Sequence, residues 1–347
     1  TFCADNQRSG YYPNEALRSS TPSFGCTIAV SGPAVRPVLH DGLVLWGDQD
    51  GVHAASMDDC SLVWEDTLAA GGQGAPCVID GVAYFGQHSR LYAYEAGSGE
   101  LLWDQPAGDG PASTLVCDSD ADRIAGIFGD WLVAWTLDGS TEAYSEDLGG
   151  LGTHLTSTGD DLWYSDAATA YLHDLDTGSA EDAVGLGLGG EEAISGTGHA
   201  LCDQFQQGMD GLFLSGMSSV DAAGGEVWHS TGRAVIAGPV GTDSDAWISR
   251  SGALTGDVLQ HIDACTGVVT NADTANLANP TYGISMVDGG ILVLDNVGNI
   301  GSLDTATGAP GFSPANRTAA TTLSQCPIPY DGFIAAQAGG FIRVMPW

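Results

Sequence analysis

Pro37-Val-Leu-His-Asp-Gly42-Leu-Val-Leu-Trp-Gly47, followed by Leu62-Val-Trp64, returns as Pro76-Cys-Val-Ile-Asp-Gly81-Val-Ala-Tyr-Phe-Gly86, followed by Leu101-Leu-Trp103. Gly42 and Gly81, Gly47 and Gly86, and Trp64 and Trp103 each lie 39 residues apart. Three landmarks sharing one offset mark a repeat array. Inside a unit, short apolar runs are divided by Asp-Gly and other glycine-rich turns, which is hairpin chemistry. Glu95-Ala-Gly-Ser-Gly99-Glu-Leu-Leu-Trp103 reads as the turn between a third and a fourth strand.

Weaker copies run on to the end of the chain. The third holds Arg123-Ile-Ala-Gly-Ile-Phe-Gly129 and Trp131-Leu-Val-Ala-Trp135, and the fourth Asp161-Leu-Trp-Tyr164 and Asp174-Leu-Asp-Thr-Gly178. The fifth holds Asp210-Gly-Leu-Phe-Leu214 and Gly225-Glu-Val-Trp228, and the sixth Asp245-Ala-Trp-Ile248 and Asp263-Ala-Cys-Thr-Gly267. Asp288-Gly-Gly-Ile-Leu-Val-Leu294 with Asp304-Thr-Ala-Thr-Gly308 marks the seventh. The last copy, Tyr330-Asp-Gly-Phe-Ile-Ala335 and Phe341-Ile-Arg-Val344, stops after three strands. From Gly42 to Gly332 the step averages about 41 residues, the length of a four-stranded propeller blade. The reading is an all-β, eight-bladed β-propeller, with blades at roughly 36–72, 73–110, 111–150, 151–190, 191–233, 234–278, 279–318 and 319–347. The incomplete last blade needs a fourth strand, and Thr27-Ile-Ala-Val30 is the expected donor, which would remove two exposed sheet edges. Residues 1–26 are left as an N-terminal extension to a single propeller domain at 27–347. No window sustains a 3.6-residue apolar period, so almost no helix is expected.

Composition supports a folded, non-nucleic-acid protein. The 347 residues carry 44 acidic against nine basic side chains, all arginine, for a net charge of −35. Such a chain repels phosphate backbones and anionic membrane surfaces. Glycine is abundant at 50 residues, but 43% of the chain is hydrophobic, so glycine marks turns rather than disorder. No stretch approaches the ~18 apolar residues of a membrane span. The charge also suggests a protein suited to saline surroundings. The chain starts at Thr1 rather than Met, and a cleaved signal peptide upstream is expected.

Cys3, Cys26, Cys60, Cys77, Cys117, Cys202, Cys265 and Cys326 are even in number and form no C-x-x-C pair. That pattern favours disulfides in an extracytoplasmic protein over zinc or buried thiols. Cys3–Cys26, outside the repeats, is the one pairing expected.

The Asp-x-x-Thr-Gly…Trp signature and the Pro…Asp-Gly…Gly strand pair resemble the pyrroloquinoline-quinone (PQQ) type propeller repeat. The family includes quinoprotein alcohol dehydrogenases and the propeller lipoprotein of the outer-membrane β-barrel assembly machinery, to which this chain is similar in size and form. The resemblance implies the fold for nearly everything after residue 26; many members of the family bind no quinone. Its quinone enzymes typically carry adjacent cysteines over the cofactor, an acidic site for calcium or a lanthanide, and long insertions. No two cysteines are adjacent here, so bound PQQ is not expected. Trp64, Trp103 and Trp228 fit a repeated packing role between blades.

Asp118-Ser-Asp120-Ala-Asp122 is the candidate metal site, because three carboxylates at alternate positions of a curled loop suit calcium. It lacks the glycine and later glutamate of an EF-hand loop, and a solvated acidic turn is the competing reading. Asp48-Gln-Asp50 and Asp243-Ser-Asp245 are weaker instances, read as ordinary turns. His40, His53, His88, His154, His173, His199, His229 and His261 are scattered over several units without ligand spacing. No G-x-S-x-G elbow is present, and His173 and Asp174 are strand neighbours that point to opposite faces. Trp131, Val133 and Trp135 share a strand face suited to the core. Asn316-Arg-Thr318 is a glycosylation sequon, which matters only in a eukaryotic source.

The functional expectation is a non-catalytic, extracytoplasmic, monomeric scaffold that binds a protein or glycan partner through a rim of the channel. The alternatives are a small quinoprotein or metal-dependent oxidoreductase and a calcium-stabilised carbohydrate-binding propeller.

Overall fold

In a computed structural model of the protein, the described residues are 11–32, 37–68, 75–110, 112–149, 154–158, 161–165, 169–185, 199–200, 205–206, 216–220, 226–231, 235–241, 245–250, 258–263, 266, 268–273, 281–295, 299–316, 327–338 and 340–347. Their strands form eight sheets, and no helix occurs among them. The first sheet meanders through Val38–His40, Leu43–Asp48, Gly51–Ser56 and Leu62–Thr67, and the second through Cys77–Ile79, Val82–Gln87, Arg90–Glu95 and Leu101–Pro106. The third, fourth, sixth and seventh follow the same antiparallel order. The fifth departs from it: His199–Ala200 pairs antiparallel with Phe205–Gln206 but parallel with Gly216–Val220. Asp210–Leu214, read from the sequence as a strand of that unit, lies outside the described residues.

Six apolar cores lie between consecutive sheets rather than within one sheet. Leu45, Val52 and Trp64 of the first sheet pack with Ala83, Phe85 and Tyr94 of the second. Equivalent clusters join the second sheet to the third, the third to the fourth, the sixth to the seventh and the seventh to the eighth. Another joins the eighth sheet to the first, through Ile328, Ile342 and Val344 against Leu39, Val44 and Trp46. The first, second, third, seventh and eighth sheets thus bury both faces against their neighbours, which is how radial repetition makes a core.

The repeat signature has a mechanical meaning. In each of the first seven sheets the ladder between the third and fourth strands slips by one residue at the start of the fourth, as between Ala54/Ala55 and Ala93/Tyr94. Such a bulge bends and twists the strand. In the first three sheets an aromatic ring one residue beyond the bulge, Trp64, Trp103 or Tyr144, reaches the next sheet. Trp64 donates from Nε1 to the Ala96 carbonyl at 2.8 Å, and Trp103 does so to the Leu137 carbonyl at 3.2 Å. Each ring lies on a turn glycine of that sheet, Gly99 (φ 73°) and Gly139 (φ 68°), where any Cβ would strike the indole. Tyr144 covers Gly178 in the same way. The aspartate that opens the turn holds it: Asp174 Oδ1 accepts from the amide and hydroxyl of Thr177, and Asp304 does the same for Thr307. These bonds favour the charged form, so both carboxyls sit below the usual carboxylate range.

Closure follows the expected route. Cys26–Ala29 pairs antiparallel with Phe341–Pro346 (Ile28 opposite Ile342) and fills the fourth position of the eighth sheet. The disulfide expectation fails for Cys26. Its partner is Cys60, 34 residues on in the first sheet, with Cα atoms 5.7 Å apart. Cys3 lies outside the described residues. Ring closure carries the outer strand of the last sheet past the Cys60 turn, a neighbour that chain order conceals. A second disulfide, Cys77–Cys117, ties the second sheet to the third.

The N-terminal extension is also structured. Tyr11–Ala16 runs parallel to Thr281–Asp288 and adds a fifth strand on the inner side of the seventh sheet. From there the chain crosses the end of the eighth sheet, where Arg18 Nη1 donates to the Trp347 carbonyl at 2.6 Å and Trp347 Nε1 to the Ser20 carbonyl at 3.1 Å.

Candidate functional site

The closing strand and the first sheet enclose a cleft of about 480 Å³. Residues 27–31 form one wall, and Trp46, Asp48, Asp50, His53 and Glu65 the other. The second wall is local hairpin chemistry: Leu43–Asp48 and Gly51–Ser56 pair so that Trp46 stands opposite His53, and the two rings stack at 4.9 Å with a 16° tilt.

Asp48 is 5% exposed and fully engaged. Its Oδ2 accepts from the Ser31 amide at 3.1 Å and from Trp46 Nε1 at 3.2 Å, while Oδ1 accepts from the Asp50 amide and His53 Nε2, both at 2.9 Å. Burial, the largest influence, pushes its pKa up; the Ser31 and Asp50 amides and His53 together outweigh it, so the carboxyl lies below its ordinary value. An ionised Asp48 fixes the proton of His53 on Nε2. The other nitrogen, Nδ1, faces Glu65 Oε2 at 3.8 Å. Asp48, His53 and Glu65 all belong to the first sheet, and the bond that crosses the cleft is the one from the Ser31 amide to Asp48. Sequence reading had set Asp48-Gln-Asp50 aside as an ordinary turn; no local signal marks the tie to Ser31.

The carboxylates chosen from the sequence behave differently. Asp118 is buried, and its Oδ1 accepts the amides of Asp120 and Ala121 at 2.8 and 3.0 Å. Asp122 takes a positive φ of 54° in the same turn. Among the described residues no three His, Cys, Asp or Glu side chains gather as a metal site would require. The Asp118 carboxylate therefore acts as the cap of its turn. Asp118→Ala is expected to cost about 1–3 kcal/mol, the penalty for leaving buried donors unpaired. Urea unfolding with and without millimolar calcium checks this: the loss should be the same in both, and a loss confined to calcium would contradict it.

The histidines form no cluster with metal-ligand geometry among the described residues. His261 stacks on Trp247 at 4.6 Å, repeating the Trp46–His53 pair. His173 is buried with Nδ1 3.4 Å from Glu146 Oε2, while Asp174 turns away to cap its own hairpin. Val133 and Trp135 lie in the core between the second and third sheets, and Trp131 packs against it. The Trp228 side chain, Cys202, Cys265, Cys326, Asp243 and Arg317-Thr318 of the sequon lie outside what is described.

Sequence reading also missed an apolar surface. Leu62 and Val63, and Leu101 and Leu102, stand at the bulges of the first two sheets and are 45–53% exposed. A regular strand would send one of each pair inward; the bulge turns both outward. Val268 and Val269 lead into the sixth-sheet bulge and are 57% and 45% exposed.

The PQQ-type repeat model described as "Outer membrane protein assembly factor BamB" matches residues 18–163. No curated protein matches the chain in sequence. Among solved structures, the computationally designed protein Ika8 is similar at a TM-score of 0.72 and 12% identity, covering 94% of this chain and 100% of its own. BamB from Moraxella catarrhalis is similar at 0.63 and 14%, with the same coverage. A europium-containing methanol dehydrogenase is similar at 0.67 and 10%, covering 99% of this chain and 96% of its own. At such identities these likenesses establish the propeller fold, and the chain carries PQQ-type repeats over the matched stretch. No helix among the described residues is long and apolar enough to cross a membrane.

Proposed function

We propose that the protein is a non-catalytic, extracytoplasmic propeller that serves as a binding or assembly scaffold for a protein partner. The observation that carries this reading is the set of aliphatic pairs, Leu62-Val63, Leu101-Leu102 and Val268-Val269, presented near one landmark of three sheets. Exposed apolar pairs at equivalent places on the neighbouring first and second sheets suit a protein surface, since exposed apolar surface on soluble proteins commonly marks partner sites. Branched aliphatic side chains lack the flat face on which a sugar ring stacks, which favours protein over glycan. Two disulfides support a compartment outside the cytoplasm. The assignment of the matching family model to an outer-membrane assembly factor is in keeping with a scaffold role.

The test is cross-linking mass spectrometry on protein taken from its own source. A partner protein should cross-link next to residues 61–64 or 100–103, and the Leu62→Ser/Val63→Ser/Leu101→Ser/Leu102→Ser variant should lose that cross-link while keeping its melting temperature. Failure to find a cross-linked partner, or dye-linked alcohol oxidation after addition of PQQ and calcium, would overturn the scaffold reading.

A further inference from the structure

The closing strand offers more than closure. The Val30 amide donates to the Gly340 carbonyl at 2.9 Å, so the alternation of an antiparallel ladder turns the backbone groups of residues 28 and 26 toward Phe341–Pro346. By the same alternation, the N–H and C=O of Thr27 and Ala29 point away from the sheet. The cleft is lined by five consecutive residues, 27 to 31, which is the signature of a strand edge rather than of one strand face. At the far end of that edge the Ser31 groups are already taken: its amide donates to Asp48, and its carbonyl accepts from the Gln49 amide at 3.2 Å. The first sheet therefore already pairs with the closing strand at one position, and the next two positions along the edge face an open cleft.

The charge of the cleft selects what can enter. Asp48 is saturated by four donors, but Asp50 is exposed and the Glu65 side chain is 56% exposed. Arg18, Arg90 and Arg123 are bound elsewhere, Arg18 to the Trp347 carbonyl, Arg90 to Asp104 and Arg123 to Asp176, while Arg343 sits at the cleft's edge and donates to the Thr27 hydroxyl. The exposed Leu62 completes the mouth.

We infer that this edge takes an extended, basic segment of a partner protein as an added strand, pairing with Thr27 and Ala29 and placing a lysine or arginine between Asp50 and Glu65. Main-chain pairing supplies affinity in such strand addition, and the flanking pockets supply selectivity. Ser31 blocks one end, so the added strand is short. This inference rests on the scaffold reading and assigns that scaffold a specific contact.

The experiment uses the full chain and an end-capped heptapeptide alternating valine and arginine. Binding is followed by isothermal titration at 0.15 M salt. Three comparisons decide it: the peptide N-methylated at alternate amides, the chain with Ala29→Pro, and the chain with Glu65→Gln. Proline at 29 deletes an outward N–H and leaves the ladder to Phe341–Pro346 intact, a substitution that edge strands tolerate. The expected result is micromolar binding, weakened at least tenfold by N-methylation and by Ala29→Pro, and several-fold by Glu65→Gln with a shallower salt dependence. Should Ala29→Pro melt differently from the parent, the N-methylated peptide carries the comparison alone. Binding that ignores both N-methylation and Ala29→Pro is attraction to a −35 surface and overturns the inference. So does no binding at millimolar peptide, or self-association of the chain that Ala29→Pro abolishes. In each of those outcomes a partner cross-linked at the aliphatic pairs would leave the scaffold reading standing.

Discussion

A chain lacking residues 1–32 is expected to lose its cooperative unfolding transition and to aggregate. The deletion removes the outer strand of the eighth sheet and exposes the edge of Phe341–Pro346, an unpaired template for other chains. It takes Ile28 out of the core shared by the eighth and first sheets, and Tyr12 and Leu17 away from the core between the seventh and eighth. The Cys26–Cys60 disulfide goes with it, a link of the kind that contributes about 2–4 kcal/mol. Adding several ladder hydrogen bonds at about 1 kcal/mol each brings the loss close to the whole stability of an ordinary domain, about 5–15 kcal/mol. Calorimetry on the truncated chain decides the matter. A melt within a few degrees of the full chain would show that the ring does not depend on this strand. Cys26→Ala/Cys60→Ala is the milder comparison: it keeps the strand, so it should keep a cooperative transition at a lower temperature.

The second large effect comes from charge. With 44 carboxylates and nine arginines, self-repulsion opposes the compact state at low ionic strength. The Debye length falls from about 30 Å at 0.01 M salt to about 3 Å at 1 M, so salt removes most of the long-range part. Several of these carboxylates are also held ionised by the fold. Asp138 is the clearest case: the Thr136 hydroxyl and the Ser140 amide bring its pKa down to about 2. A rise in melting temperature of roughly 5 °C between 0.01 and 1 M sodium chloride is expected, since for a chain of this size 1 kcal/mol corresponds to about 1–2 °C. Sucrose at matched osmolality controls for general exclusion from the surface. A flat response in sodium chloride would show that charges spread around the ring repel too weakly to matter.

How far the sequence reached is clearest at the closing strand and at its cysteine. Thr27–Val30 was legible because the last copy of the repeat runs out after three strands, and counting strands is a local operation. The partner of Cys26 was not legible. Cys60 lies on the other side of the ring seam, and its nearness to Cys26 exists only once eight sheets have closed. The tryptophans were readable as a packing device from their spacing; the bulge that aims them and turns Leu62-Val63 and Leu101-Leu102 outward was not. A bulge is a slip in register, and register is a relation between two strands.

The carboxylates divide along the same line. Asp118, Asp120 and Asp122 read as a candidate metal loop from their spacing, and sequence records that spacing but not the backbone amides that bind the same carboxylates. In the folded turn, Asp118 is held by the backbone of Asp120 and Ala121. Asp48 looked ordinary, and it is the group that joins Ser31 of the closing strand to His53 of the first sheet. Periodicity and turn residues by themselves determined an all-β ring of four-stranded repeats with a borrowed strand, because alternation and spacing are properties of neighbouring residues. Which cysteines meet, which edges stay open and which carboxylates share a cleft were decided only by closure of the ring, because each is a contact between residues that chain order keeps apart.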